Sequence, residues 1–583
     1  MGLSAASHET SLDDEILAES YGSSTVVPAT SLPLRTEGRH IVGEDGERVR
    51  LFCVNWYGAH MRQMVNGGLH LLTLEQIAER IIRLRFNCVR MPYSLDLIFG
   101  NATSVEHETL SLAANPNLQG MSPLEVYDAC VKAVTDAGLL VILNNHVSTK
   151  MWCCSPWDGE GLWRTAAYSQ ERWLESMTFV GQRFANNPRV VGIDLRNEPR
   201  RSRLGYPTWG LLEGMEEDDW SGAAALAGKI AHAANPNLLV VVSGINFPMH
   251  LCELGHRPLH VSEPDLQGRV VYTIHEYSWW SFDCMTHKVL GHLIPYLVIL
   301  AIIAVATLCK TSPTAERSVR CGALICTFSL AVLATVLLLI SMTYSKLIQT
   351  TACGPDNYWA SLIYLFVPYG LAHFTGVCWT FALIAYFWRI YCSNILTNHH
   401  TSRGDGRPMI EAVDSPQEDL SEEGYALGGS RDLATHEDAA RSHSSWRSSA
   451  GKFIYKHQAA VVVAVCSLTI ISIFEAFREE TGRYDVFEAE MNRRWGFALE
   501  GTDDIPPAPI WIGEFGTSVD DIWWQNWKRY VVEQDLDWCY WAFNGEKWRG
   551  VPESYGLFRA DWQHLRQPWK LHQLHEMIDA VTR

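Results

Sequence analysis

Short apolar, β-branched runs alternate with amphipathic stretches over two separate parts of the chain. Val49–Val54, Asn87–Pro92, Leu139–Asn144, Val190–Leu195, Leu238–Val242 and Val270–Ile274 each read as a buried strand. Between them, Leu74–Leu84, Pro123–Ala137 and Gln170–Phe184 carry apolar residues at helical spacing. The alternation stops near residue 284 and resumes after about residue 482, with the helix-like Val486–Leu499 and the runs Ile510–Ile512 and Trp538–Ala542. Eight strand candidates separated by helices predict an α/β fold, a (β/α)8 TIM barrel with right-handed crossovers. Its two pieces are residues 37–284 and 482–583.

The stretch between them, residues 285–481, has a different pattern and predicts a four-helix transmembrane insertion in the loop after the sixth strand. Val289–Cys309 and Cys321–Thr343 are uncharged apolar runs, long enough to cross ~30 Å of hydrocarbon at ~1.5 Å per residue. Tyr358–Trp388 forms a third, with Pro368 and Gly370 as its expected kink, and Ala459–Phe474 a shorter fourth. Both barrel pieces must lie on one side of the membrane, so the number of crossings is even. Residues 393–450, polar and without apolar periodicity, read as a disordered loop between the third and fourth spans. Lys310, Arg317, Arg320, Arg389, Lys452 and Lys456 flank the loops expected in the cytoplasm, against Lys346 alone between the second and third spans. That asymmetry predicts a multi-pass protein with an extracellular or lumenal barrel. Residues 1–36 read as a disordered polar tail with neither the basic nor the apolar region of a signal peptide, which the translocation of a barrel would call for.

Composition narrows the class of partner. A formal net charge of −18 over 583 residues, with no basic stripe, argues against nucleic acid. Tryptophan is abundant at 23 residues, and indole faces stack on the C–H faces of sugars as well as in cores and at membrane surfaces. The 15 cysteines are scattered, some of them within apolar runs, and predict neither a disulfide framework nor a zinc site.

Two strings carry the chemistry. Arg196-Asn197-Glu198-Pro199 and Ile512-Gly513-Glu514-Phe515-Gly516 each set a glutamate where a buried strand meets a loop. Two carboxylates delivered from strand ends are what hydrolysis of a sugar acetal needs: one protonated to release the leaving oxygen, one ionised to attack or stabilise the sugar centre.

With their companions these strings resemble glycoside hydrolase family 5, the cellulase family, over about 350 residues. The companions come in that family's order: Asn55-Trp56, Arg90-Met91-Pro92-Tyr93, Asn144-Asn145-His146, His275-Glu276-Tyr277 and Trp541. The family more often has Asp or Leu before the histidine of the third strand. The resemblance implies a retaining reaction with Glu514 as nucleophile and Glu198 as acid/base, and no metal or organic cofactor. Arg90 and Tyr277 would hold Glu514 ionised and its pKa low; the Glu514 charge would in turn keep Glu198 protonated. Asn197 would donate to the sugar 2-hydroxyl, His146 and His275 would orient carboxylates or sugar, and Trp541 would floor the reacting subsite.

The leading expectation is thus a membrane-anchored, endoglucanase-like β-glycosidase acting on β-glucan or a related β-glycan. Such barrels bear their catalytic loops after the strands, so an insert there sits at the mouth of the site and also favours a glycolipid substrate. A third reading is a non-catalytic membrane receptor that binds sugar.

Overall fold

The computed structural model describes residues 26–100, 105, 111–155, 157–210, 216–278, 482–503, 505–548 and 550–582. The four expected spans and the polar loop 393–450 lie outside the described residues. Among the described residues no helix is long and apolar enough to cross a membrane.

Eight parallel strands close into a barrel: β3 (Phe52–Asn55), β4 (Cys88–Ser94), β5 (Leu140–Val147), β6 (Val190–Asp194), β7 (Leu239–Ser243), β8 (Val270–Tyr277), β9 (Ile510–Gly516) and β10 (Asp537–Tyr540). Each pairs with its sequence neighbour, and β10 closes on β3 through Trp538↔Phe52, Cys539↔Cys53 and Tyr540↔Val54. β9 adds to β8 in parallel although some 230 residues separate them, so the interrupted chain re-enters the same barrel. The eight predicted strands all form, and β4, β5, β8 and β9 run two to four residues further into the mouth than the apolar runs alone mark. Among their extra residues are the polar Tyr93, Ser94, His146, His275 and Glu514, which pattern reading assigns to loops.

Helices Leu74–Arg83, Pro123–Asp136 and Gln170–Arg183 follow the predicted bounds closely. Thr73 with Gln76 and Ser122 with Glu125 form reciprocal capping boxes, satisfying backbone N–H groups that a helix start leaves free. The predicted helix Val486–Leu499 is two α segments, Tyr484–Met491 and Phe497–Glu500, joined by a wider turn over Asn492–Gly496.

Strand alternation explains why the barrel runs look continuously apolar. Val54, Val89, Val141 and Leu143 face the helix layer, whereas Cys53, Cys88, Leu140 and Ile142 fill the barrel interior. The lower end of that interior is plugged by residues expected in the tail. Val27 and Leu34 are buried there, and Arg35–Glu37 (β1) pairs antiparallel with His40–Val42 (β2). Residues 26–36, expected within the tail, thus belong to the fold, because the open barrel bottom needs an apolar cover; residues 1–25 of that expected tail lie outside the described residues.

The cysteines also differ from expectation. Cys53 and Cys88 face each other across β3 and β4 and are joined, as are the adjacent Cys153 and Cys154. The first pair is set by strand register, which cysteine spacing does not disclose.

Candidate active site

The upper interior of the barrel is ionic. Arg90, fully buried on β4, donates through Nε and Nη2 to Asp194 Oδ2 at 3.0 and 2.7 Å. Its Nη1 reaches Glu514 Oε1 at 2.6 Å and Asn55 Oδ1 at 3.0 Å, and Nη2 also reaches Asn197 Oδ1 at 2.8 Å. Burial opposes the guanidinium charge, but Asp194 and Glu514 outweigh it and raise Arg90 above its ordinary value. One permanent cation on β4 thereby fixes side chains from β3, β6, β9 and the loop after β6.

Glu514 receives a second hydrogen bond from the Tyr277 hydroxyl to Oε2, at 3.0 Å. Tyr277 stays a neutral donor, because burial and the adjacent carboxylates push its pKa well above the usual phenol. Gly513, just before Glu514, has no room for a side chain: a Cβ there would lie 2.4 Å from Thr273 Oγ1 and 3.1 Å from His275 Nε2.

Glu198 sits beyond β6 with φ of 47°, a left-handed backbone uncommon for a side-chain residue and of the kind that active sites hold at some energetic cost. Arg200 secures that turn by donating Nη1 to the Glu198 carbonyl at 2.9 Å and Nη2 to Asp158 at 2.7 Å. His275 Nδ1 lies 3.0 Å from Glu198 Oε1 and 3.7 Å from Glu514 Oε2. A carboxylate oxygen of each glutamate and a His275 nitrogen all fall within 4.8 Å of one another. Burial lowers His275 to about 4, so at neutral pH it is an uncharged imidazole between two carboxyl groups.

The two carboxyls differ. Burial pushes Glu198 up to about 7 against the pull of Arg200 and Arg90, so burial, and not repulsion from Glu514, is its main cause. Glu514 is also raised by burial, with His275 and Arg90 opposing; it is not held low as the sequence reading expects, because desolvation outweighs its donors. Direct contacts still separate the pair. Glu514 has the Arg90 guanidinium and the Tyr277 hydroxyl on its oxygens, whereas Glu198 has, among the described residues, a neutral imidazole on its own, so the shared negative charge rests on Glu514 and the proton on Glu198. Such a pair can donate a proton to one side of a bound molecule and present an anion to the other.

Of the sequence candidates, Arg90, Asn197, Glu198, His275, Tyr277 and Glu514 thus share one hydrogen-bonded cluster. His146 and Trp541 form an adjoining wall. Trp541 follows the last residue of β10 instead of lying within the strand, and stacks on Tyr57 (4.8 Å between ring centroids, 5° between planes) and on His146 (5.7 Å, 16°). His146 touches neither carboxylate; its Nδ1 donates to Asn144 Oδ1 at 2.7 Å, and Asn144 Nδ2 donates to Asp194 at 2.9 Å.

Asp194 is the principal residue that the sequence reading misses. A lone carboxylate in the apolar run Val190–Leu195 needs a buried cation, and Arg90 in the equally apolar Asn87–Pro92 needs an anion; that mutual requirement was the available signal. Among the described residues, two clusters have metal-ligand geometry: Glu198/His275/Glu514 and His146/Cys153/Cys154.

Residues 42–307 match the family described as Cellulase (glycosyl hydrolase family 5). A glycosyl hydrolase 5 family protein of Chamaecyparis obtusa is 36% identical over 269 residues, covering 44% of this chain and 45% of the relative. An endoglucanase of Paenibacillus polymyxa is 28% identical over 256 residues, or 42% of this chain and 59% of the relative. The chain thus spans about half the length of the curated relatives it matches. The solved catalytic domain of the major endoglucanase from Xanthomonas campestris pv. campestris superposes with a TM-score of 0.50 at 18% identity, over 93% of this chain and 99% of that one. A hyperthermophilic endocellulase from the archaeon Pyrococcus horikoshii gives 0.52 at 17% identity, over 94% and 99%. At these identities the structures speak for the barrel fold alone. Over residues 42–307 the chain is thus similar to the glycosyl hydrolase family 5 domain.

Proposed function

We propose that this protein is a retaining, endoglucanase-like β-glycoside hydrolase that cleaves β-glucan or a related β-glycan by double displacement. The observation that carries the reading is the sharing of one His275 nitrogen by Glu198 and Glu514, with carboxylate oxygens within 4.8 Å. That closeness favours direct attack, as in retaining enzymes whose carboxyls stand ~5–5.5 Å apart.

In this reading Glu514 attacks the anomeric carbon while Glu198 gives its proton to the leaving oxygen. Loss of the Glu514 charge on glycosylation, together with departure of the proton, leaves Glu198 as the base that activates water. Asn197 Oδ1 is held by Arg90, which leaves its amide nitrogen, 3.5 Å from the Cys153 and Cys154 sulfurs, as the group to donate to a sugar 2-hydroxyl. Trp541 offers an indole face to the sugar ring. The names of the relatives support a glucan substrate.

Anchorage through spans in residues 285–481, with the barrel on the extracellular or lumenal side, belongs to the same proposal. It is supported by the uncharged runs Val289–Cys309 and Cys321–Thr343 and the lysine and arginine asymmetry about them.

A 2-deoxy-2-fluoro glycoside, which slows both transition states, tests the chemistry. Mass spectrometry of the digested protein should find the sugar on Glu514. A label elsewhere, or an inverted product, would overturn the double displacement. Product analysis on glucan, mannan and glucosylated lipid would then fix the substrate class.

A further inference from the structure

Beside the catalytic cluster lies a group of soft ligands that this reaction does not use. Cys153 and Cys154 follow β5 and are partly exposed, whereas His146 is only 3% exposed. His146 Nε2 lies 3.6 Å from Cys153 Sγ, and one atom from each of the three residues falls within 4.8 Å of the others. Tetrahedral zinc with Zn–S of ~2.3 Å and Zn–N of ~2.0–2.1 Å separates sulfur from nitrogen by about 3.6 Å. The edge already present is therefore the edge such an ion needs.

The tautomer is also correct. Asn144 Oδ1 accepts from His146 Nδ1, so that nitrogen carries the hydrogen and Nε2 keeps its lone pair toward the sulfur. Asn144 is itself fixed by Asp194 through its other amide atom. Metal-bound histidines characteristically rest their second nitrogen on an outer acceptor in this way. A second imidazole adjoins the first: His60 is 1% exposed, its ring is 4.3 Å from that of His146, and neither of its nitrogens has a hydrogen-bond partner among the described residues.

We propose that Cys153 and Cys154, once reduced, bind one soft divalent cation of the zinc class together with His146, and that occupancy inhibits the enzyme. The joined pair must first open. A dithiol reductant supplies two electrons and two protons, breaks the Cys153–Cys154 bond and leaves as its own cyclic disulfide. Each thiol then loses its proton to the buffer as it ligates the ion.

Inhibition follows from what the ligands touch. Asn197 Nδ2 lies 3.5 Å from both sulfurs, and His146 stacks on Trp541. An ion drawing the two sulfurs and the imidazole together places its charge beside Asn197 and fixes the wall that Trp541 shares. The inhibitory half rests on the proposed hydrolysis; the binding half stands without it.

Cobalt titration of the full chain separates the two halves, because thiolate-bound tetrahedral Co²⁺ absorbs in the visible and near ultraviolet whether or not sugar is turned over. The reduced protein should bind one more Co²⁺ per chain, with that absorption, than a Cys153→Ser/Cys154→Ser variant or the oxidised protein. A Cys53→Ser/Cys88→Ser variant should keep the band, which assigns it to the pair at the mouth and not to the pair inside the barrel. Zinc should then lower glucan hydrolysis by the reduced protein at least about tenfold, reversibly with chelator, and leave the oxidised protein unaffected. Equal cobalt spectra for the reduced and oxidised protein would overturn the site even if the double variant failed to fold. A cobalt band without zinc inhibition would leave the metal site and refute its control of the reaction. Absence of any hydrolysis in the metal-free protein would count against the proposed function, with the cobalt result still deciding the site.

Discussion

The lower and upper halves of the barrel interior are built on the same strands and differ completely in chemistry. On β3 the inward residue changes from Cys53 to Asn55, on β4 from Cys88 to Arg90 and on β5 from Ile142 to Asn144. Two residues along one pleat separate an apolar plug from an ionic network. The lower half contributes burial, closed off by Val27, Leu34 and Ile41 from the N-terminal segment. The upper half takes charges out of water and compensates them with one another, Arg90 against Asp194 and Glu514. Such buried pairs give little net stability, so the network is better understood as positioning two carboxyl groups than as holding the barrel together. If so, changes in the two halves should separate into effects on rate and effects on stability.

The largest effect is expected at Glu514. Glu514→Gln keeps the shape and leaves Arg90 paired with Asp194, but removes the attacking oxygen. The rate should fall by about 10⁴–10⁶-fold, the scale seen when a covalent nucleophile is lost. A folded variant that kept most of the parent rate would remove Glu514 from bond formation. Glu198→Ala should be milder, on the order of 10²–10⁴-fold on substrates with poor leaving groups, as for loss of a general acid. Aryl glycosides with good leaving groups should lose less at the first step, and azide should restore their turnover. Equal losses on both substrate types without azide rescue would break the assignment of the proton to Glu198.

The contrast between halves also explains what was legible in the sequence. The apolar runs gave away the barrel, because a strand buried on both faces has a distinctive composition and the runs recur with helices between them. Glu198 and Glu514 were legible because charge at the end of such a run is conspicuous. Asp194 lies one residue inside its run, at the end of β6, and its inward direction depends on register, which the run alone does not disclose. His146 was recognised as a residue, but its dependence on Asn144 is a three-dimensional fact. The dominance of burial over charge repulsion at Glu198 is a property of the enclosed mouth, which a linear pattern does not disclose. The N-terminal plug escaped because Val27, Leu34 and Ile41 are isolated apolar positions in a polar segment, with no period to betray them.

A change in the lower half should invert the pattern. Leu34 is fully buried in the plug, far along the strands from Glu514. Leu34→Ala should destabilise the barrel by about 2–5 kcal/mol, the usual range for a truncated core leucine. Denaturant unfolding followed by barrel tryptophan fluorescence would measure it. The rate per folded molecule and its pH profile should not change. A shifted profile would mean that the plug and the site are mechanically coupled, and the division into halves would fail.

The smallest effect is the most discriminating, because it has the opposite sign. Glu198 has a folded-state pKa of about 7, raised chiefly by burial, against about 4.3 for an unfolded glutamate. Between those values the folded protein holds a proton that the unfolded chain has released. The favourable contribution of that proton is complete below the unfolded value and disappears as pH rises through about 7. Glu198→Gln is neutral at every pH and suffers no such loss. The variant should therefore match the parent near pH 4 and exceed it above pH 7 by an amount on the order of 1–3 kcal/mol. It should do so while losing general-acid activity, the trade expected where a site is strained for function. The parent's kcat/KM should likewise decline above pH about 7, as Glu198 gives up the proton it must donate. Melting curves of parent and variant at pH 5 and pH 8 would decide the matter. A variant no more stable than the parent at pH 8 would show that the mouth solvates Glu198 well, and the upper half would not carry the energetic burden that sets it apart from the lower.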